Sequence, residues 1–357
     1  MRKHLILLAI ASVAALAACN KTQIVQEAPS PDAITFRPLM SGMTKAEATT
    51  ANLTDFYVLA RYTSSGSIYF GDTHYTKSGT AWDTDEERNW PDNDAYLDFY
   101  AYAPAATGQI SGHDSGDNYK SFTVTPSTTA SEQADLIFAF TPSKNKTSSG
   151  TSGVSLTFRH AEAKVAMKVL NSNSNLEITV NGIAMANVKG SGTFEYSGES
   201  DGKLKFEDWT SSASPVAQYA HAVSSAVIPS TAVVAGEEMI LVPQTLITAA
   251  GYSVSGEYPG ACIKVSLKIK DTSNNTWLVG GESEFEEVLW PLGVIDWNPG
   301  MAFTYSVDLA GGGYKSVDPN PADSKYDLEP AISGETPISF VGVTVDGWTS
   351  SVVPVGY

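Results

Sequence analysis

The sequence predicts an all-β protein of two β-sandwich domains in tandem, and three observations support this. Apolar and polar residues alternate at a period of two in successive runs. Gly, Asn and Asp turn signals separate those runs. No stretch of helical periodicity is long enough to compete with them.

The elements follow in chain order. In 54–62, Phe56, Val58, Ala60 and Tyr62 share one face of an extended strand. In 163–169, Val165, Met167 and Val169 alternate with Lys164, Ala166 and Lys168. In 263–270, Ile263, Val265, Leu267 and Ile269 alternate with Lys264, Ser266, Lys268 and Lys270. In 303–309, Phe303, Tyr305, Val307 and Leu309 alternate with Thr304, Ser306 and Asp308. Such alternation suits a half-buried antiparallel strand, whose successive side chains leave on opposite faces. Turns are expected at Ser65-Gly66, Gly71-Asp72, Asp201-Gly202, Asn274-Asn275 and Gly311-Gly312-Gly313. One short helix is expected over 282–288. The polar break at 142–153 is rich in Ser, Thr, Gly and Lys. It is the expected boundary between an N-terminal domain over 34–150 and a C-terminal domain over 151–357.

At about 100–200 residues per domain, a chain of 357 residues has room for two. Charged residues make up 17% of it, sparse against about 25% in typical globular domains. The net charge is −17. Phosphate binding needs clustered cations, so nucleic acid is excluded as a partner. Charge-driven docking on an anionic membrane is excluded for the same reason.

The amino terminus sets the compartment. Arg2 and Lys3 precede an apolar run over 5–18 that is too short to span a bilayer. It ends in Leu16-Ala17-Ala18-Cys19, which resembles the lipobox of bacterial lipoproteins. That resemblance implies acylation of Cys19, a signal peptide over 1–19 and an anchor in the outer membrane through lipid. The alternative is an ordinary secretory signal, and either way the protein is exported. Residues 20–33 are polar and contain proline, as a flexible tether would be. With Cys19 lipidated, Cys262 has no partner and no intrachain disulfide framework forms.

Catalytic templates are missing: there is no HExxH, GxSxG, P-loop or GxGxxG. His4, His74, His113, His160 and His221 are scattered, none at metal-ligand spacing. Ser200 and Lys203 match SxxK by letter, but in a turn rather than at a helix start. No enzyme, cofactor or metal site is expected. Asp83, Asp85, Glu86, Glu87, Asp92, Asp94 and Asp98 read as a solvated loop, with a calcium site as the alternative. Trp82, Trp90, Tyr96, Phe99, Tyr100 and Tyr102 crowd one stretch. They read as core and cross-strand pairs, with an exposed glycan-binding platform as the alternative.

Several segments in order along the chain resemble the fimbrillin family, the type V pilins of Gram-negative anaerobes, and its fimbrillin-like branch in particular. After the lipobox come Ile34-Thr35-Phe36 and the run 43–62, MTKAEATTANLTDFYVLARY. Then come LDFYAYAP at 97–104, ADLIFAF at 134–140, VSLTFRHAEAKVAMKV at 154–169, LVPQTL at 241–246, WNPGMAFTYSVDL at 297–309 and ISFVGVTVDGW at 338–348. The resemblance implies two transthyretin-like β-sandwich domains and a cell-surface fimbrium subunit acting in adhesion. It also implies cleavage by a trypsin-like maturation protease near the first strand, and polymerisation with other pilin subunits by donor-strand exchange. A host glycan or protein would be the further partner. The family's cleaved arginine falls at Lys45, while the only arginine of the segment is Arg37. The C-terminal run with Ile338, Phe340, Val341, Val343 and Val345 is the candidate donor strand. Its alternative is a last strand in its own sheet. The alternatives for the whole chain are an uncleaved lipid-anchored pilus anchor or assembly subunit, and a surface glycan-binding lipoprotein using 90–102.

Overall fold

A computed structural model describes residues 32–40, 53–105, 108–149, 152–212, 216–246, 258–317, 327–333, 342–347 and 352–355. The fold is all-β, and helix among these residues is confined to short turns such as Lys146–Ser149 and Ala130–Glu132. No helix among them is long and apolar enough to cross a membrane.

Four main sheets stack in two pairs. The first sheet runs β1 (Phe36–Met40), β9 (Val154–His160), β8 (Ile137–Lys144), β5 (Leu97–Ala103), β2 (Asp55–Tyr62), β3 (Ile68–Ser78) and β4 (Ala81–Asp83). On one of its faces lies the second sheet, β15 (Trp209–Ser211), β12 (Gly192–Glu195), β7 (Ser121–Val124) and β6 (Ile110–Ser111). Tyr102 and Phe138 of the first sheet meet Phe122, Phe194 and Trp209 of the second in one aromatic core.

The third sheet runs β16 (Val216–Val227), β11 (Leu176–Lys189), β20 (Cys262–Asp271), β22 (Glu286–Pro291), β25 (Tyr314–Val317) and β26 (Asp327–Pro330), with β21 (Thr276–Val279) paired to β20. Facing it, the fourth sheet runs β17 (Val233–Val234), β10 (Ala163–Leu170), β24 (Met301–Asp308), β27 (Gly342–Gly347) and β28 (Val352–Val355), with β18 (Met239–Leu241) paired to β10. Two small two-stranded sheets complete the set: the hairpin of β13 (Glu199–Ser200) with β14 (Lys203–Leu204), and the non-local pair of β19 (Gln244–Thr245) with β23 (Asp296–Trp297).

The run 263–270 alternates as expected, whereas 163–167 is buried on both faces, Lys164 and Ala166 included, and Asp308 of the run 303–309 is buried as well. Ile263, Val265, Leu267 and Ile269 are fully buried against Val165, Met167, Phe303 and Tyr305 in the core of the second pair. Lys264 points the other way and meets Glu287 at 3.0 Å. Asp201-Gly202 and Asn274-Asn275 turn with positive φ at Asp201 and Asn275, as expected of tight connections.

Three local expectations are corrected. Residues 282–288 do not form a helix: β22 starts at Glu286 and pairs with β20, Val288 opposite Val265. Cross-strand pairing and burial of Val288 and Trp290 override the helix preference of the glutamates. Gly71-Asp72 is no turn. It lies inside β3, where the β2–β3 register shifts instead. The break at 142–153 does not end the first sheet, because β9 follows it and pairs with both β8 and β1. The second sheet, moreover, draws β6 and β7 from before that break and β12 and β15 from after it.

Candidate assembly groove

β1 is the seam of the first sheet. The sheet curls until Phe36 on its first strand meets Tyr75 on its sixth, ring centroids 4.9 Å apart. Phe36 also packs edge-on against Phe99 at 5.5 Å and Phe56 at 6.4 Å. Alternation explains the seating: Ile34, Phe36 and Pro38 are buried, whereas Thr35, Arg37 and Leu39 are exposed. β1 runs parallel to β9, Phe36 opposite Val154 and Met40 opposite Phe158. Its outer edge pairs with no other strand among the described residues.

The chain entering β1 is held by a few contacts. Ile34 N donates to Arg88 O at 2.7 Å, Trp90 N to Asp32 O at 2.9 Å, and Val154 N to Thr35 O at 2.8 Å. Lys146 pairs with Asp32 at the surface. Gly153 has φ +73, and a Cβ there would lie 2.9 Å from Thr35 O, so only glycine lets the two strands lie this close. Without β1, the slot would be floored by Phe56, Tyr75, Phe99, Leu156 and Phe158, all buried. Tyr75 Oη is buried there without a hydrogen-bond partner among the described residues, and burial pushes its pKa up.

The sequence-predicted residues divide. Arg37 is exposed on β1, its guanidinium donating to Ser155 Oγ at 2.6 Å. The bond after it is Arg37–Pro38, and Pro38 is buried in the strand. A ring-constrained proline on the leaving side, in a paired strand, makes that bond a poor substrate for an endopeptidase. The Arg-Pro dipeptide was visible in the sequence and is the signal that weighs against Arg37. Cys19, Lys45, Ile338, Phe340 and Val341 lie outside the described residues. Val343 and Val345 lie on β27, opposite Tyr305 and Phe303 of β24, in the alternative arrangement of a strand in its own sheet.

The aromatic stretch is core. Trp90, Phe99 and Tyr102 are buried, and of the six only Tyr96 is largely exposed. Two members of the acidic cluster act as turn locks. Asp94 accepts hydrogen bonds from Thr147 Oγ1 and Asn145 Nδ2, and the Thr147 hydroxyl holds its carboxyl below the usual range. Asp98 accepts from Thr63 Oγ1 and Ser143 N. Among the described residues no group of three or more His, Cys, Asp or Glu is placed to hold a metal.

Sequence reading missed the fully buried Glu162. Glu162 sits in the passage from β9 to β10, where the chain leaves the first pair of sheets. Its Oε2 accepts from Leu136 N at 2.8 Å and its backbone carbonyl from Gly300 N at 2.8 Å, so it ties the two pairs together. Full burial drives its pKa well above that of an exposed glutamate, and the charge of Asp135 adds to the rise.

The model of the fimbrillin-like family matches residues 43–320. No curated protein matches. A fimbrial protein from Bacteroides vulgatus superposes with a TM-score of 0.52 at 14% identity, covering 88% of this chain and 100% of its own. A putative cell adhesion protein from Bacteroides uniformis gives 0.48 at 13%, covering 90% and 100%. One from Bacteroides ovatus gives 0.46 at 15%, covering 82% and 97%.

Proposed function

The chain belongs to the fimbrillin-like family, and from that premise we propose that it is a pilin-like structural subunit of the cell surface, non-enzymatic, exported with lipid on Cys19 and built into a fimbrium. The observation that carries this reading is the seating of β1. A five-residue parallel edge strand fills an aromatic slot and, among the described residues, pairs with a strand on one side only. Removing it would leave unpaired backbone along β9 above an apolar groove. An extended strand from another subunit satisfies both needs, with backbone hydrogen bonds giving affinity and alternate side chains giving register.

Release requires a cut between β1 and β2. Because Arg37–Pro38 is a poor bond, the cut falls after Lys45. The donor is the C-terminal pair β27 and β28, which closes one end of the fourth sheet and can leave without breaking its interior. A head-to-tail contact of this kind does not close on itself and so propagates a fibre.

The second reading is the lipid-anchored, uncleaved subunit at a pilus base. Lysine in place of arginine at the family's processing position favours it, together with the resistant Arg37–Pro38 bond. Sequencing the mature amino terminus from isolated fimbriae separates the two. A chain starting at Ala46 supports the fibre subunit. A chain starting at acylated Cys19 replaces it with the anchor.

A further inference from the structure

β16 is an edge built unlike β1. Its inner side pairs with β11, and it has no other strand partner among the described residues. It is 12 residues long, and edges of that length are ordinarily protected by charges or prolines. Yet residues 209–236 include no Asp, Glu, Lys or Arg, in a chain of net charge −17, and no proline lies within the strand.

Two bulges interrupt the β11–β16 ladder, at Val180/Gly182 and Ala186/Val188, leaving a regular run in which 182–186 face 222–218. Gln218, Ala220, Ala222 and Ser224 are exposed there, and all but Gln218 are small enough for another backbone to approach to sheet spacing. Val227, Val233 and Val234 extend the exposed apolar surface past the end of the strand.

Beside the regular run opens a cleft of about 460 Å³ walled by Thr129, Ser131 and Glu237. His221 lines it. Its Nδ1 accepts from Glu237 N at 3.5 Å, so Nε2 carries the hydrogen. That Nε2 is buried without a partner among the described residues. Gly236, at φ +81, makes room for the ring, since a Cβ there would lie 2.8 Å from it.

We propose that β16 is a self-association edge, at which a second copy of the chain pairs its own β16 antiparallel and continues the third sheet across a two-fold axis. Charge selects this occupant. Two chains of −17 repel wherever acidic surfaces face each other, and the charge-free edge is where they approach without that repulsion. The sequence agrees. A two-fold through His221 sets Ala220 opposite Ala222 and Gln218 opposite Ser224 on the outer face, so no charged side chains face each other across the pair. The contact is lateral and does not depend on release of β1.

The test uses the full chain with Cys19→Ser, in which the remaining Cys262 is buried. Ala222→Cys then adds one exposed thiol, and Ser283→Cys on a distant exposed loop serves as control. A short bismaleimide should link Ala222→Cys into dimers at about tenfold the yield of the control, and Ser224→Lys, on the cysteine-free edge, should weaken dimerisation in sedimentation about tenfold. Circular dichroism confirms that each exposed-site variant is folded. Equal cross-linking of both cysteines overturns the proposal. So does a wild-type chain that sediments as a monomer at the highest concentration reached, as it would if other segments of the same chain covered the edge.

Discussion

β1 and β16 are both edges of sheets, and they handle the exposure of an edge in opposite ways. β1 is short, carries an arginine and a proline, and puts its apolar residues inward into an aromatic slot. β16 is more than twice as long, carries neither charge nor proline, and exposes small residues beside a cleft. The first edge stabilises by what it fills, and the second leaves its backbone available. A short edge that buries its apolar side chains in a groove is protected by its own seating, whereas a long uncharged edge leaves its backbone groups open to another strand.

Four changes would break or sharpen that contrast. Phe36→Ala empties the slot from above and should destabilise the uncleaved chain by about 3–5 kcal/mol in urea unfolding, because three ring contacts go at once. An exposed residue of β16, such as Ala220, should by contrast tolerate substitution within about 0.5 kcal/mol.

The second change concerns pH. Glu162 has a folded pKa raised above its unfolded value of 4.5, so its neutral form belongs to the folded state. Stability from this group is complete below that value and is lost as pH rises toward the folded pKa, by up to about 1.4 kcal/mol per pH unit. Glu162→Gln keeps the hydrogen-bonding shape and should flatten that dependence in denaturation curves across the window. Glu162 ties both pairs of sheets, so the loss should appear equally in probes near β1 and near β16.

Gly153→Ala acts on one edge alone. Its left-handed conformation and the approach to Thr35 O should make the substitution cost about 1–3 kcal/mol. Amide exchange should quicken in β1 while β16 stays unchanged. Smallest of all, Lys146→Ala removes a half-exposed pair with Asp32. It should cost about 0.5 kcal/mol or less, and the difference should vanish at high salt.

Much of this is legible in the sequence. Alternation along 263–270 placed four residues in the core and Lys264 outside, because a half-buried strand leaves no other arrangement. The aromatic stretch read as core for the same reason. Non-local pairing was not legible. Nothing near 142–153 says that β9 will return beside β8, and nothing in GTFE at 192–195 says that it will pair with SFTV at 121–124. Gly71-Asp72 shows the local limit, since a turn dipeptide inside a long strand yields a register shift when both neighbours pair around it. In the candidate groove the strand Ile34-Thr35-Phe36 was visible, but its seating against Tyr75 depends on the curl of the whole sheet. Glu162 was hidden because a buried acid looks like any other in sequence.

The second sheet has a consequence for the order in which the protein becomes itself. A chain synthesised amino-terminus first presents β7 long before β12, which alone joins it to β15. Until Ser211 has emerged, Phe122 and Phe138 wait without Phe194 and Trp209 to cover them. The first half therefore waits with an uncovered aromatic face, and its final closure is timed by the arrival of the second half.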